Sequence, residues 1–157
     1  MSGIILIPGS YDPVTLGHLA LISQASKMAD KVYAAIFINP DKVYRFPLEV
    51  RLAFLREACA EYPNVEVISD SGTVADFSRT HGVSYLLKGV RNEADFLYER
   101  EMADVNRSRG VETVLLPTPP ELREVSSTAL REALERGEDL SPYLPARIAE
   151  MVQKYLG

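Results

Sequence analysis

Cysteine, positive charge and long apolar runs are all in short supply in this chain of 157 residues. A single cysteine, Cys59, rules out an intrachain disulfide. Its place in an amphipathic stretch reads as a small core residue, in keeping with a reducing compartment. No apolar run approaches the ~20 residues of a membrane-spanning helix. Met1-Ser2-Gly3 leads directly into an apolar run without a basic n-region, so we expect no signal peptide and a cytoplasmic location. Seventeen Lys and Arg face 22 Asp and Glu, a formal charge of −5. That leaves no basic stripe to neutralise a nucleic-acid backbone. If the ligands are anions, the cations must be gathered locally. Neither a Walker Gly-Lys-Ser/Thr nor a Gly-x-Gly-x-x-Gly loop is present. Internal repeats, linkers and low-complexity tracts are missing as well, which predicts one domain over residues 1–157.

What is present is a regular alternation. Ile4 to Ile7 is a short apolar run that breaks at Pro8-Gly9 and re-enters regular structure at Gly17-His18. Further strands are expected at 31–38, 64–68, 83–87 and 111–116. Helices are expected from Pro47 to about Tyr62, from Thr73 to His81, from Asn92 to Ser108, from Ser126 to Gly137 and from Pro145 to Leu156. Strand and helix alternate five times with short connections. This implies a Rossmann-like, doubly wound five-stranded parallel α/β sheet, which binds ligands beyond the carboxyl ends of its strands.

The chemistry-bearing residues fall at those ends. Ser10 and His18 follow the first strand, where a glycine-bearing turn and a helix N-terminus form an anion site. Lys42 follows the second strand, Thr73-Val74 the third, Lys88 and Arg91 the fourth, and Ser126-Ser127-Thr128 the fifth. Lys42, Lys88 and Arg91 are the local cations that an acidic protein needs around phosphates. Ser126 to Thr128 would cap a helix, and three successive hydroxyls could also hold a triphosphate. His81, at a helix end before Gly82, is expected to cap or to lie exposed, without function. Taken by itself, the segment 88–107 reads as an exposed helix with an Arg91–Asp95 pair and with Phe, Tyr and Met contacts to the core.

Gly9-Ser-Tyr-Asp-Pro-Val-Thr-Leu-Gly-His18 resembles the nucleotidyltransferase signature ending in Thr/His-x-Gly-His. In that superfamily a nucleoside triphosphate is attacked at its α-phosphorus and pyrophosphate leaves; the motif leaves the acceptor open. Residues 88–106 narrow it. They resemble the Arg-Gly-x-Arg-x-x-x-Asp-Phe-x-Tyr-Glu-x-x-Met-x-x-x-Asn segment of phosphopantetheine adenylyltransferases, with Asp95, Phe96, Tyr98, Glu99, Met102 and Asn106 matching. The resemblance runs along nearly the whole chain, including Pro40-x-Lys42 and the Leu-Glu-x-Arg of 48–51.

The resemblance implies adenylyl transfer from ATP, with Mg²⁺, to 4′-phosphopantetheine, giving dephospho-CoA and pyrophosphate. It also implies coenzyme A as an inhibitor and a homohexamer. His18, Lys42, Ser10, Lys88 and Arg91 would be catalytic. ATP would meet Gly9, Ser10, Tyr11, Gly17, His18, Gly89, Val90, Arg91, Glu99 and the loop Leu122, Arg123, Glu124, Val125, Ser126, Ser127 and Thr128. Phosphopantetheine would meet Ser10, Lys42, Thr73, Val74 and Lys88. Two features depart from the family pattern. Lys88 stands where arginine is usual, and Leu122-Arg123-Glu124-Val125 replaces the usual Tyr-Ser-Phe-Ile. Ser126 to Arg131 also resembles a run of nicotinamide mononucleotide adenylyltransferases. A sibling nucleotidyltransferase and a non-catalytic nucleotide- or CoA-binding protein are therefore the alternatives.

Overall fold

The computed structural model describes residues 3–157. Five parallel strands form one sheet: β1 (Ile4–Gly9), β2 (Lys31–Phe37), β3 (Val65–Asp70), β4 (Tyr85–Val90) and β5 (Glu112–Pro117). Their order across the sheet is β3-β2-β1-β4-β5. The chain therefore winds outward from β1 to β3, then returns to the other side of β1 to lay down β4 and β5. The junction of β1 and β4 is the switch point of a doubly wound sheet.

Six helices cover both faces: α1 (Leu16–Met28), α2 (Leu48–Ala58), α3 (Val74–His81), α4 (Glu93–Ser108), α5 (Ser127–Glu135) and α6 (Ala146–Leu156). Alternation along the central strands sends Ile5, Ile7, Val32, Ala34 and Ile36 into a core shared with Ile22 of α1, Leu55 of α2, Leu130 of α5 and Ile148 of α6. Leu6, Tyr33, Ala35 and Leu86 point the other way, onto Ala75 and Phe77 of α3. Cys59 lies in the first of these cores, and burial pushes its thiol up to about 12, so it is inert packing. His81 caps the end of α3 with Nδ1 3.0 Å from Phe77 O, and it is half-buried rather than exposed, stacking on the Phe77 ring with centroids 3.8 Å apart and meeting Tyr33 edge-on. Among the described residues no helix is long and apolar enough to cross a membrane.

Two strand ends differ from the sequence expectation, and both differences make the site. β1 does not stop before Pro8-Gly9: Pro8 and Gly9 pair with Ala35 and Ile36 of β2. β4 likewise continues through Lys88 and Gly89 to Val90, paired with β5 throughout. Between β1 and β4, however, only Ile5–Tyr85 and Leu6–Leu86 are paired. Beyond Leu6 the two central strands part while each keeps its outer neighbour, and a cleft opens between their tips. Ile4 accepts a hydrogen bond from Ser84 N, so residues 4, 6 and 8 turn their peptide groups toward β4. Proline's missing N–H at position 8 thus faces the cleft, where no ladder partner exists. A proline in a central strand costs little there.

Candidate active site

The first wall of the cleft is the β1–α1 connection. Ser10 follows the strand, and Tyr11 comes next with φ 47°, a left-handed conformation that side chains rarely adopt. Its ring is only 1% exposed and its hydroxyl donates to Ile7 O at 2.8 Å. Desolvation holds that phenol well above its ordinary range. Buried Thr15 caps α1 through a reciprocal box with His18. The Thr15 hydroxyl accepts from His18 N, and Thr15 N–H donates to His18 Nδ1 at 3.0 Å. A nitrogen that accepts from a backbone N–H carries no proton, so the proton resides on Nε2, on the side of the ring turned away from the cap. The ring packs on Tyr11, with centroids 4.6 Å apart. Burial first, then the charges of Lys88 and Arg91, push its pKa down to about 4. His18 is therefore a neutral donor at physiological pH.

The second wall is β4 and the start of α4. Lys88 Nζ lies 3.2 Å from Glu99 Oε2. Arg91 Nε donates to Asp95 Oδ2 at 3.0 Å, one turn along the helix as its spacing predicts. From across the sheet Lys42 Nζ donates to Ser10 Oγ at 3.2 Å. Two cavities adjoin at the tip of β4, one lined by Lys88 and the other by Gly89. One, of about 330 Å³, includes Ser10, Phe37, Val74, Lys88, Glu99 and Asn106 in its lining. The other, of about 210 Å³, includes Thr15, Gly17, His18, Gly89, Arg91 and Ser126. It continues, through shared Gly17, Leu21 and Gly89, into a mostly apolar slot of about 250 Å³ closed by Pro117-Thr118-Pro119.

A cytidylyltransferase-like family model matches residues 6–133. The phosphopantetheine adenylyltransferase of Limosilactobacillus reuteri (strain DSM 20016) is 40% identical over 155 residues, covering 98% of this chain and 90% of the relative. The chain belongs to the phosphopantetheine adenylyltransferases. The phosphopantetheine adenylyltransferase of Methylococcus capsulatus (strain ATCC 33009 / NCIMB 11132 / Bath) is 38% identical, covering 100% of this chain and 99% of its own. The solved structure of Plasmodium falciparum nicotinic acid mononucleotide adenylyltransferase complexed with NaAD superposes with a TM-score of 0.68. At 13% identity, covering 99% of this chain and 96% of that one, it attests the fold alone.

Within the site the predicted residues do not all converge. Gly9, Ser10, Val74 and Lys88 line the larger cavity, whereas Gly17, His18, Gly89, Arg91, Val125, Ser126 and Ser127 line the smaller one. Lys42 joins the site through Ser10. Others of the expected residues are placed differently. The Tyr11 side chain is the buried floor beneath His18. Thr73 caps α3, its hydroxyl accepting from Asp76 N, and does not line the larger cavity. Glu99 sits on Lys88 in the larger cavity rather than in the smaller one. Leu122 faces a separate groove with Leu16, Tyr62 and Pro145, and Arg123 and Glu124 are exposed outside both cavities. Thr128 accepts from Arg131 and stays outside, and Val90 closes β4 against Pro117.

The three hydroxyls of the Ser-Ser-Thr run are each occupied. Ser126 accepts from Ala129 N as the α5 cap, and Ser127 donates to Pro13 O. Phe96, Tyr98 and Met102 are exposed on α4 rather than packed in the core. Sequence reasoning missed Asp12 and Arg51, both buried directly beneath the site. A carboxylate in a turn and an arginine on a helix give no local sign that tertiary packing will enclose them.

Proposed function

We propose that the chain transfers the adenylyl group of ATP to the phosphate of 4′-phosphopantetheine, giving dephospho-CoA and pyrophosphate. The observation that carries this reading is the pair of cavities whose linings adjoin at Lys88-Gly89, one holding Ser10 and Lys88 and the other His18 and Arg91. ATP would place its adenosine in the Gly17–Pro119 slot and its phosphates against the α1 and α5 N-termini, where free N–H groups favour anions. The pantetheine arm would lie along Val74 and Asn106, with its phosphate at Ser10, Lys42 and Lys88. A phosphate monoester is largely dianionic near pH 7, so it needs no strong general base. One of its oxygens bonds to the α-phosphorus as the α–β anhydride bond breaks, and pyrophosphate leaves with the released electron pair.

Catalysis then consists of bringing two anions together and stabilising developing charge. Lys42 and Lys88 screen the repulsion, and Arg91, held by Asp95, faces the polyphosphate. The Nε2–H of neutral His18 donates to an α-phosphate oxygen. Among the described residues there is no cluster of three acidic, His or Cys side chains. Mg²⁺ would enter on the phosphates of ATP, where it would neutralise their charge. Competition by coenzyme A, a homohexamer and a cytoplasmic location belong to the same reading. The unburied apolar face of α4 supports self-association.

The test is pyrophosphate release with Mg²⁺, pairing ATP or CTP with 4′-phosphopantetheine, nicotinamide mononucleotide or glycerol 3-phosphate. Turnover confined to ATP with 4′-phosphopantetheine is expected. Turnover with another pair instead would assign a sibling nucleotidyltransferase. ATP binding with no pyrophosphate from any pair would assign a binding protein.

A further inference from the structure

Arg51, on α2, is 2% exposed, and none of its guanidinium nitrogens lies within ion-pair distance of a described carboxylate. A buried charge without a counter-ion is costly, and an apolar side chain of similar volume would fill the same space without that cost. What the guanidinium does instead is join two backbone segments. Nε donates to Phe46 O at 3.0 Å, and Nη1 donates to Ser10 O at 2.9 Å. Its plane also lies over the Tyr44 ring, 4.0 Å from the centroid. Tyr44 and Phe46 end the loop that carries Lys42, and Ser10 directly follows the strand that faces it.

The same loop is held from a second side. The buried Asp12 carboxylate accepts from Arg45 N at 2.8 Å and from Phe46 N at 3.0 Å. Three successive residues, 44 to 46, are thereby tied to Ser10 and Asp12 through Arg51 and the Asp12 carboxylate. The outcome at the cleft is the 3.2 Å contact between Lys42 Nζ and Ser10 Oγ. Lys42 itself is exposed and flexible by nature, so its loop has to supply the order.

We infer that Arg51 is a positioning residue for the acceptor-phosphate subsite: by locking the Ser10 carbonyl and the 44–46 turn in one frame, it presents Ser10 Oγ and Lys42 Nζ as a preformed pair to one phosphate group. The inference rests on the acceptor being a phosphate ester, as proposed above. Its planar fork is what the task requires, since lysine would keep the charge and lose the second direction of donation.

The experiment compares wild type, Arg51→Lys, Lys42→Ala and the double variant. It measures KM for each substrate, and inorganic phosphate binding by isothermal titration calorimetry. Arg51→Lys is expected to raise the acceptor KM and the phosphate Kd about tenfold, with the ATP KM changed less than twofold. In the Lys42→Ala background the same change should add less than twofold, because the group it positions is gone. Equal rises in both KM values, an undiminished effect without Lys42, or no effect at all would each overturn the role. If Arg51→Lys lacks a cooperative unfolding transition, Tyr44→Leu carries the same test from the loop side, with about a threefold effect expected. Arg51-dependent phosphate binding in a protein that does not turn over 4′-phosphopantetheine would sink the proposed acceptor and leave the positioning role standing.

Discussion

Each of the two ring nitrogens of His18 has its own task, and two conservative substitutions separate them. Asparagine can present an acceptor to Thr15 N–H where Nδ1 stands but has no donor at Nε2. Glutamine places a donor near Nε2 and gives up the cap. His18→Asn is therefore expected to fold normally and lose about 10²–10³ in kcat with the ATP KM within threefold, the usual cost of one donor at a developing oxyanion. His18→Gln should keep more of the rate and lose stability. Steady-state kinetics and thermal melts on both variants check this, and equal kinetic losses would reduce His18 to a folding residue.

The same ring makes a pH prediction whose sign is fixed by burial. Unfolded histidine takes a proton near 6.5, whereas folded His18 resists it down to about 4. Protons therefore favour the unfolded chain in that window. The stabilising contribution is complete above about pH 6.5 and is lost as pH falls toward 4, with a slope of at most about 1.4 kcal/mol per pH unit. Urea unfolding at pH 5 and pH 8 should show wild type losing more stability on acidification than His18→Asn. Parallel losses would mean the ring titrates normally.

At the scale of elements, the helix caps and the strand splay divide the work. Thr15, Thr73, Asn92 and Ser126 each accept a backbone N–H at a helix start, but only Thr15 and Ser126 line the cleft. Thr73→Ala is accordingly expected to cost about 1 kcal/mol of stability, as cap removals do, with both KM values unchanged. A raised acceptor KM in that variant would return Thr73 to the substrate site. The cleft itself arises because β1 and β4 share only two paired positions while β1–β2 and β4–β5 share six each. A turn after Ile7 and a loop at Lys88 are natural readings of Pro8-Gly9 and Lys88-Gly89. Pairing with an outer neighbour is what keeps both segments extended, and that partner is distant in sequence.

The whole molecule leaves one helix underused. α4 contributes no fully buried residue, and Leu97 and Val105 are 45% and 41% exposed on it. An apolar surface of this kind is the face that the proposed self-association would use. If the chain self-associates through this face, as proposed, Leu97→Asp and Val105→Asp will lower the mass measured by light scattering below that of wild type. Unchanged mass in both would rule this face out of the proposed self-association. Because Glu99 and Asn106 of the same helix line the larger cavity, dissociation should also weaken acceptor binding.

Periodicity, the five alternating units and the Gly9–His18 signature determined the layered fold, the edge of the sheet where the cleft opens, and Ser10, His18, Lys42, Lys88 and Arg91 as the candidate residues gathered there. Those are local properties: hydrophobic period, turn chemistry and residue type at a strand end are written within a few residues of one another. Tertiary structure alone decided which member of each pair faces the cleft, Val74 rather than Thr73 and Val125 rather than Leu122. It also decided that Tyr11 is a floor, that Glu99 belongs to Lys88, and that Arg51 and Asp12 brace the loop of Lys42. Each of these depends on a direction of approach or a contact across 11 to 41 positions of chain, and a side chain's orientation is set by the elements packed around it.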